Sequence, residues 1–161
     1  MTQVPRTPDL AAQRAAMRKL EFLVGHWSGE VSIFRGGVKK VELRQTEHAE
    51  YKLDGLLLLI EGVGRNKADG EVTLQALGIV SYDDETLTFQ MRAYNDGRYL
   101  ETAVEMAPGG RELKWGFSWG EIQTHSVLRL NDLGQWTELH EVTVGAQPAR
   151  KLMEVIVSPQ N

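Results

Sequence analysis

The sequence predicts an all-β protein, a closed antiparallel up-and-down barrel of about ten strands with a short N-terminal helix at one end. From Trp27 onward apolar residues alternate with polar ones, which is typical of strands with one buried face. Turn signals rich in Gly, Asp and Asn recur roughly every 10 to 15 residues. The segments between them are longer than the usual five or six residues, and they are joined by tight turns. Together these observations favour a meander closed into a barrel.

The first element predicted is a helix at about residues 8–23. Thr7 can cap it, Pro8 suits the first helical position, and Asp9 interacts favourably with the helix dipole. One stripe of the helix is apolar and suits a position across the barrel mouth: Ala12, Ala16, Leu20 and Leu23. Gly25 is expected to end the helix as a left-handed C-cap.

The turn signals divide the rest of the chain into the predicted barrel, at about residues 27–157. The ten expected strands are 27–35, 38–53, 56–65, 72–82, 86–94, 98–107, 111–119, 121–130, 135–144 and 150–157. A second domain has no room in 161 residues arranged in this way, so residues 1–161 form a single predicted domain.

Alternation along each strand predicts which side chains face the interior. The predicted inward apolar set is Trp27, Val31, Ile33, Leu87, Phe89, Met91, Ala93, Leu100, Thr102, Val104, Met106, Leu113, Trp115, Phe117, Trp119, Met153, Val155 and Val157. The tryptophans have two interpretations, because such residues are most often core, but a barrel of this size can keep a cavity lined by aromatic rings. The core interpretation is favoured for Trp27, and both stay open for Trp115, Trp119 and Trp136.

Polar residues on predicted inward faces are the candidate ligand contacts. Inside a barrel they need hydrogen-bond partners, because an unpaired buried polar group costs about 1–3 kcal/mol. The candidate ligand-binding residues, with the neighbouring large side chains, are Gln45, Glu47, Tyr51, Met91, Trp115, Trp136, Glu138 and His140. Thr124 and Ser126 also share an inward face. A water-filled polar network is the alternative to a ligand site.

Glu138 and His140 stand two residues apart on one strand face, so they could act as a general acid/base pair or as two metal ligands. Spacing offers no third ligand, and we predict neither a metal site nor catalytic residues. A Ser-His-Asp triad is disfavoured, because the chain has no Gly-x-Ser-x-Gly motif and Ser28 lies within a strand. Gly62-Val63-Gly64 is not followed by a helix, which argues against a phosphate loop.

Composition excludes several classes of function. The chain has no cysteine, hence no disulfide, thiolate metal site or cysteine nucleophile. Its 18 basic and 22 acidic residues give a net charge of −4 without a basic block, so nucleic acid is not an expected partner. Residues 1–8 contain no apolar leader segment, and no apolar stretch approaches the roughly 20 residues that span a bilayer. We therefore expect a cytoplasmic protein.

The segment Gly25-His26-Trp27 resembles the Gly-x-Trp motif of the calycin superfamily. Leu53-Asp54-Gly55-Leu56, Gly78 to Asp83 and Arg150 to Glu154 follow in the order seen in a bacterial lipocalin-like family of unknown function. The resemblance covers most of residues 17–157 and extends distantly to nitrobindin-like and fatty-acid-binding barrels. It implies a ten-stranded antiparallel barrel and no settled ligand or activity. Nitrobindin-like barrels bind haem through a histidine near the C-terminal end, and here His140 is the nearest candidate.

The leading functional hypothesis is a module that binds a small apolar or amphipathic molecule in the barrel and needs no cofactor. The second is an enzyme of the isomerase or cyclase type, with Glu138 and His140 transferring protons. Haem binding and a ligand-free structural or oligomeric role, including a homodimer, are minor alternatives.

Overall fold

The computed structural model describes residues 5–161, so residues 1–4 of the predicted domain lie outside it. Helix α1 spans Leu10–Met17 and continues as a 3-10 helix over Arg18–Leu23. The strands are β1 Gly25–Arg35, β2 Val38–Lys52, β3 Leu57–Asn66, β4 Val72–Asp83, β5 Thr88–Asn95, β6 Arg98–Met106, β7 Glu112–Trp115, β8 Ser118–Trp119, β9 Ile122–Leu130, β10 Trp136–Val144 and β11 Arg150–Pro159.

The strands close into one antiparallel barrel. From β1 to β7 each strand pairs with the next along the chain, and β9, β10 and β11 continue the ring back to β1. Strands β7 and β8 both pair with β9, at opposite ends, and together occupy one position in the ring. The barrel therefore has ten positions, and the predicted all-β fold with one short N-terminal helix is confirmed.

The start and the end of the helix differ from the prediction. Asp9, rather than Thr7, is the N-cap, and its carboxylate accepts a hydrogen bond from the Ala12 amide at 3.0 Å. Pro8 thus precedes the cap instead of opening the helix. Gly25 does not form the C-cap either: Val24 ends the 3-10 turn in an extended conformation, and Gly25, with φ of +131°, is already the first residue of β1.

The helical segment closes one end of the barrel. The carboxylate of Asp84, in the β4–β5 turn, accepts hydrogen bonds from the Asp9 amide at 2.9 Å and from Gln13 at 2.7 Å. Apolar side chains of the helical segment are buried beneath: Met17, Leu20 and Leu23. The same half of the barrel contains buried Trp136, Leu58, Val80 and Val157, so side chains fill it.

The half of the interior farther from the helix is less densely filled. Its inward-facing side chains are only partly buried, although the wall surrounds them: Ile33, Ala93, Leu100, Thr102, Trp115, Ile122, Thr124, Val142 and Met153. Barrels of this size can enclose a small-molecule cavity. The fold thus gives a closed, filled end and an accessible end.

Three residues of the predicted inward set are exposed. Leu87 has φ of +56° and lies in the turn before β5, because that strand begins one residue later, at Thr88. Phe117 and Trp119 are 44% and 76% exposed. They follow the end of β7, where the neighbouring β6 no longer pairs with this side of the barrel, so no strand covers them.

The barrel wall is loosest between β6 and the β7–β8 position. Along the described chain, the β6–β7 ladder consists of two residue pairs, Glu105 with Lys114 and Met106 with Leu113. Beyond them the Thr102 hydroxyl donates to the Gly116 carbonyl at 3.0 Å and bridges the two edges. This separation forms the side wall of the site described next.

Candidate functional site

A chain of hydrogen-bonded polar side chains crosses the barrel interior. The Trp136 indole donates to one oxygen of Glu138 at 2.8 Å, and the other oxygen lies 2.8 Å from Nε2 of His140. Nδ1 of His140 lies 2.7 Å from the Ser126 hydroxyl. An ionised carboxylate can only accept, so Nε2 of His140 donates to Glu138; in the neutral ring Nδ1 then accepts from the Ser126 hydroxyl.

The register of the β9–β10 hairpin produces this arrangement. His140 is directly opposite Ser126, and Ser126 is in turn opposite Trp115 on β7. The Trp115 and His140 rings meet edge to face with centroids 5.9 Å apart. Glu138 follows on the same face of β10 because alternate residues of a strand share a face. The hydrogen-bonded chain therefore continues into the aromatic wall.

A second polar pair lies on β2, where Gln45 Nε2 donates to Glu47 at 2.6 Å. Both side chains are buried, and glycines on the facing strand make room for them. A Cβ added at Gly62 would lie 2.9 Å from the Glu47 oxygens, and one at Gly64 would lie 3.0 Å from the Gln45 oxygen. Gln45 Oε1 is buried without a hydrogen-bond partner among the described residues.

Burial raises the pKa of Glu47 well above its ordinary value, and the negative charge of Glu138 raises it further. The hydrogen bond from Gln45 acts in the opposite direction but is the smaller effect. A carboxyl in such a place keeps its proton where an exposed one loses it.

The polar chain remains accessible. The Glu138 and His140 side chains are 14% and 17% exposed, although both point into the barrel. The polar chain is therefore not completely closed off from solvent.

An open cleft of about 1100 Å³ runs along the separation between β6 and the β7–β8 position. Its lining includes apolar side chains, Phe89, Val104, Met106, Trp115 and Phe117, and also polar and charged ones, Lys19, Glu105, Lys114, Gln123, Thr124 and His125. Trp115 belongs both to this lining and to the contact with His140. It is therefore the residue at which the cleft and the polar chain meet.

Six of the eight predicted ligand-binding residues surround this interior region: Gln45, Glu47, Trp115, Trp136, Glu138 and His140. The other two are not members of these contacts. Tyr51 is at the helix end, where its hydroxyl donates to the Met17 carbonyl at 2.7 Å. Met91 is buried on β5 opposite Val80. Their assignment as ligand contacts stays a prediction.

Ser126 belongs to the hydrogen-bonded polar chain, but it was not among the ligand-binding residues predicted from the sequence. Its inward face was predicted, but only the hairpin register places it opposite His140. That register follows from a turn centred near Leu133-Gly134, so pairing the two strands by turn position would have found it.

Ser126, His140 and Glu138 follow one another like the members of a catalytic triad, but the backbone around Ser126 does not suit acyl transfer. Strand β9 pairs with β7 on one side and β10 on the other, so the amides near Ser126 are directed along the sheet. An oxyanion hole needs free N–H groups aimed at the reacting carbonyl. The arrangement supports proton exchange at His140 rather than a serine nucleophile.

The residues present do not fit haem ligation by His140. Both ring nitrogens are engaged, Nε2 with Glu138 and Nδ1 with Ser126. An axial ligand needs one nitrogen directed at the iron. Across residues 5–161 there is also no group of three or more His, Cys, Asp or Glu side chains that could hold a metal ion.

No helix in the described part of the chain is both long and apolar enough to cross a bilayer. No protein-family model matches the sequence, and no curated protein does. The fold is similar to the crystal structure of Rv2717c from M. tuberculosis, with a TM-score of 0.65 and 12% sequence identity over 91% of this chain and 98% of that chain. At this identity the likeness supports the barrel fold and nothing further.

Proposed function

We propose that the protein binds a small amphipathic molecule. Its polar part lies against Glu138 and His140, and its apolar part lies along Trp115 in the cleft. The observation that carries this proposal is the buried hydrogen-bonded chain that ends, partly exposed, at the aromatic wall of an open cleft. Pockets with mainly apolar walls and a few convergent polar groups are typical of small-molecule sites.

Packing of the core does not require the polar chain, and this supports a ligand role. Valine or leucine at Glu138 and His140 would keep the strand pattern and avoid the cost of burying polar groups. The resemblance of the Gly25-His26-Trp27 segment to lipocalin-like barrels points in the same direction, since many of those barrels hold ligands inside. Under this proposal, ligand binding requires no cofactor.

The test is a titration with Nile red, a neutral fluorescent amphiphile, followed by dye emission and tryptophan quenching. Wild type is expected to bind, and Trp115→Leu to weaken binding about tenfold or more. Trp119→Leu is the matched control, because Trp119 is 76% exposed on the same barrel position. Absence of binding to wild type, or equal effects of the two substitutions, would contradict the proposal.

A second candidate is proton-transfer catalysis of the isomerase or cyclase type. The 2.8 Å contact between Glu138 and His140, with Ser126 on the other ring nitrogen, favours it. A histidine held by a carboxylate is a common general base. A ligand recovered from the protein would be converted by wild type and returned unchanged by His140→Gln if this function operates. Unchanged ligand from both proteins would exclude it.

A further inference from the structure

The polar groups of the interior include more hydrogen-bond acceptors than donors. The acceptors include the Glu138 carboxylate and Gln45 Oε1, which has no partner among the described residues, whereas Glu47, while it keeps its proton, also has one O–H donor. Gln45 is 2% exposed, so bulk water does not satisfy this oxygen. A buried acceptor without a donor costs free energy. The interior therefore suits a ligand that brings N–H or O–H groups.

The charge of the interior has the same implication. Among residues 5–161 no Lys or Arg side chain is buried, and only Arg14, on the helix, is even partly buried. Glu47 and Glu138 consequently have no basic partner other than His140. Buried carboxylates are normally paired with a cation. This pair of carboxyls therefore suits one positively charged group.

One ring near the polar chain suits a cation as well. Trp27 and Trp136 are buried and pack edge to face against each other. Trp115 is only partly buried and contacts His140. Tryptophan faces attract alkylammonium groups more strongly than other aromatic rings do.

We infer that the ligand is a cationic amphiphile, an alkylammonium compound whose nitrogen lies among Glu138, Glu47 and Gln45 Oε1 and whose chain follows Trp115 into the cleft. This inference rests on the proposed function and adds the charge class of the ligand. The ammonium N–H groups supply the donors that the interior lacks. Its charge also favours ionisation of Glu47 beside Glu138.

Binding of such a cation is linked to the protonation of Glu47. The titratable groups that face Glu47 are Glu138 and, hydrogen-bonded to it, His140; the adjacent strands contribute Trp27 from β1 and Gly62 from β3. His26, His48 and Glu61 are on the outer face of these strands. A bound cation favours ionised Glu47, so affinity rises with pH while the amine stays charged, below about pH 10.

The experiment measures displacement of Nile red by three ten-carbon amphiphiles: decylammonium, decanol and decanoate. We expect decylammonium to displace the dye at concentrations at least tenfold lower than the other two, with an affinity that increases from pH 5 to pH 8. Glu47→Gln should weaken decylammonium binding severalfold more than it weakens Nile red binding, and it should flatten the pH dependence of decylammonium binding. Glu61→Gln, the same substitution on the outer face, should behave as wild type.

The outcomes separate the two proposals. Equal displacement by all three amphiphiles, or stronger displacement by decanoate, overturns the cationic ligand while dye binding keeps the proposed function. A loss of Nile red affinity in Glu47→Gln equal to the loss for decylammonium assigns Glu47 a structural role and also overturns it. Failure of wild type to bind Nile red contradicts the proposed function itself.

Discussion

Trp27 shows how one side chain joins the helical segment to the barrel. Its indole donates to the Leu23 carbonyl at 2.9 Å, and its ring packs edge to face against Trp136. It therefore satisfies a carbonyl at the end of the helical segment while filling the closed end of the interior.

Trp27→Ala is expected to lower the free energy of unfolding by about 3–5 kcal/mol, as other large-to-small core substitutions do. Urea denaturation measures this change. Trp119→Ala, on an exposed side chain, should change stability by about 0.5 kcal/mol or less. A small loss in the Trp27 variant would show that the corner is peripheral to the core.

Glu47 makes stability depend on pH in a defined direction. An unfolded chain ionises its glutamates near pH 4.3, whereas burial and Glu138 keep Glu47 protonated to higher pH in the folded protein. The contribution of Glu47 to the free energy of unfolding is therefore fully present below about pH 4.3, and it decreases as the pH rises through the raised pKa. Glu47→Gln should lose that decrease, so urea midpoints of variant and wild type diverge with increasing pH.

Glu42 provides the control of opposite sign. Hydrogen bonds from Lys67 and then Lys39 lower its pKa to about 2, so its contribution is present above its ordinary pKa and is lost as the pH falls toward 2. The stability of Glu42→Gln should therefore differ from that of wild type above the ordinary glutamate pKa, and the difference should shrink as the pH falls toward 2. Parallel pH profiles for wild type and Glu47→Gln would contradict the burial argument.

Individual site residues could be predicted from alternation alone where strands are regular. Glu47, Glu138 and His140 point inward as expected. What alternation does not contain is register, so the hydrogen bond from Ser126 to His140 and the room that Gly62 makes for Glu47 emerged only in three dimensions.

At the scale of elements, β1 and β11 close the barrel at Gly29. A Cβ at Gly29 would overlap the Ile156 carbonyl oxygen and lie 2.8 Å from the Val157 Cα, so backbone would have to move. Gly29→Ala should destabilise the protein by about 3 kcal/mol or more, beyond the usual cost of overpacking. Thermal denaturation measures it, with Gly109→Ala as control because an added Cβ there meets nothing within 4 Å. Similar melting temperatures would show that the closure tolerates displacement.

The predicted strand boundaries agree with the observed ones within about two residues at most ends, because glycine and aspartate turns leave clear signals. The seventh predicted strand, 111–119, is the exception. It breaks at Gly116 and Phe117. A Cβ added at Gly116 would overlap the Thr124 carbonyl oxygen. The Phe117 amide donates to the Thr124 hydroxyl, and the Thr124 amide donates to the Phe117 carbonyl. Alternation continued through the break, and that is why Phe117 and Trp119 were wrongly expected to be buried.

For the whole molecule, the barrel followed from strand length and turn spacing, whereas its division into a filled and an accessible half did not. That division depends on how the helical segment inserts Met17, Leu20 and Leu23 into one end. The sequence predicted a helix across the barrel mouth, but it did not predict how far the side chains of that helix extend into the interior.

The four tryptophan indole N–H groups test the central claim, that a ligand occupies the accessible half of the barrel. In a ¹H–¹⁵N NMR spectrum their signals report separately on the polar chain, the cleft wall, the filled end and an exposed strand position: Trp136, Trp115, Trp27 and Trp119. Saturating Nile red is expected to shift the Trp115 signal most and the Trp136 signal next, with Trp27 and Trp119 nearly unchanged. A shift confined to Trp119, or none at all, would contradict binding inside the barrel.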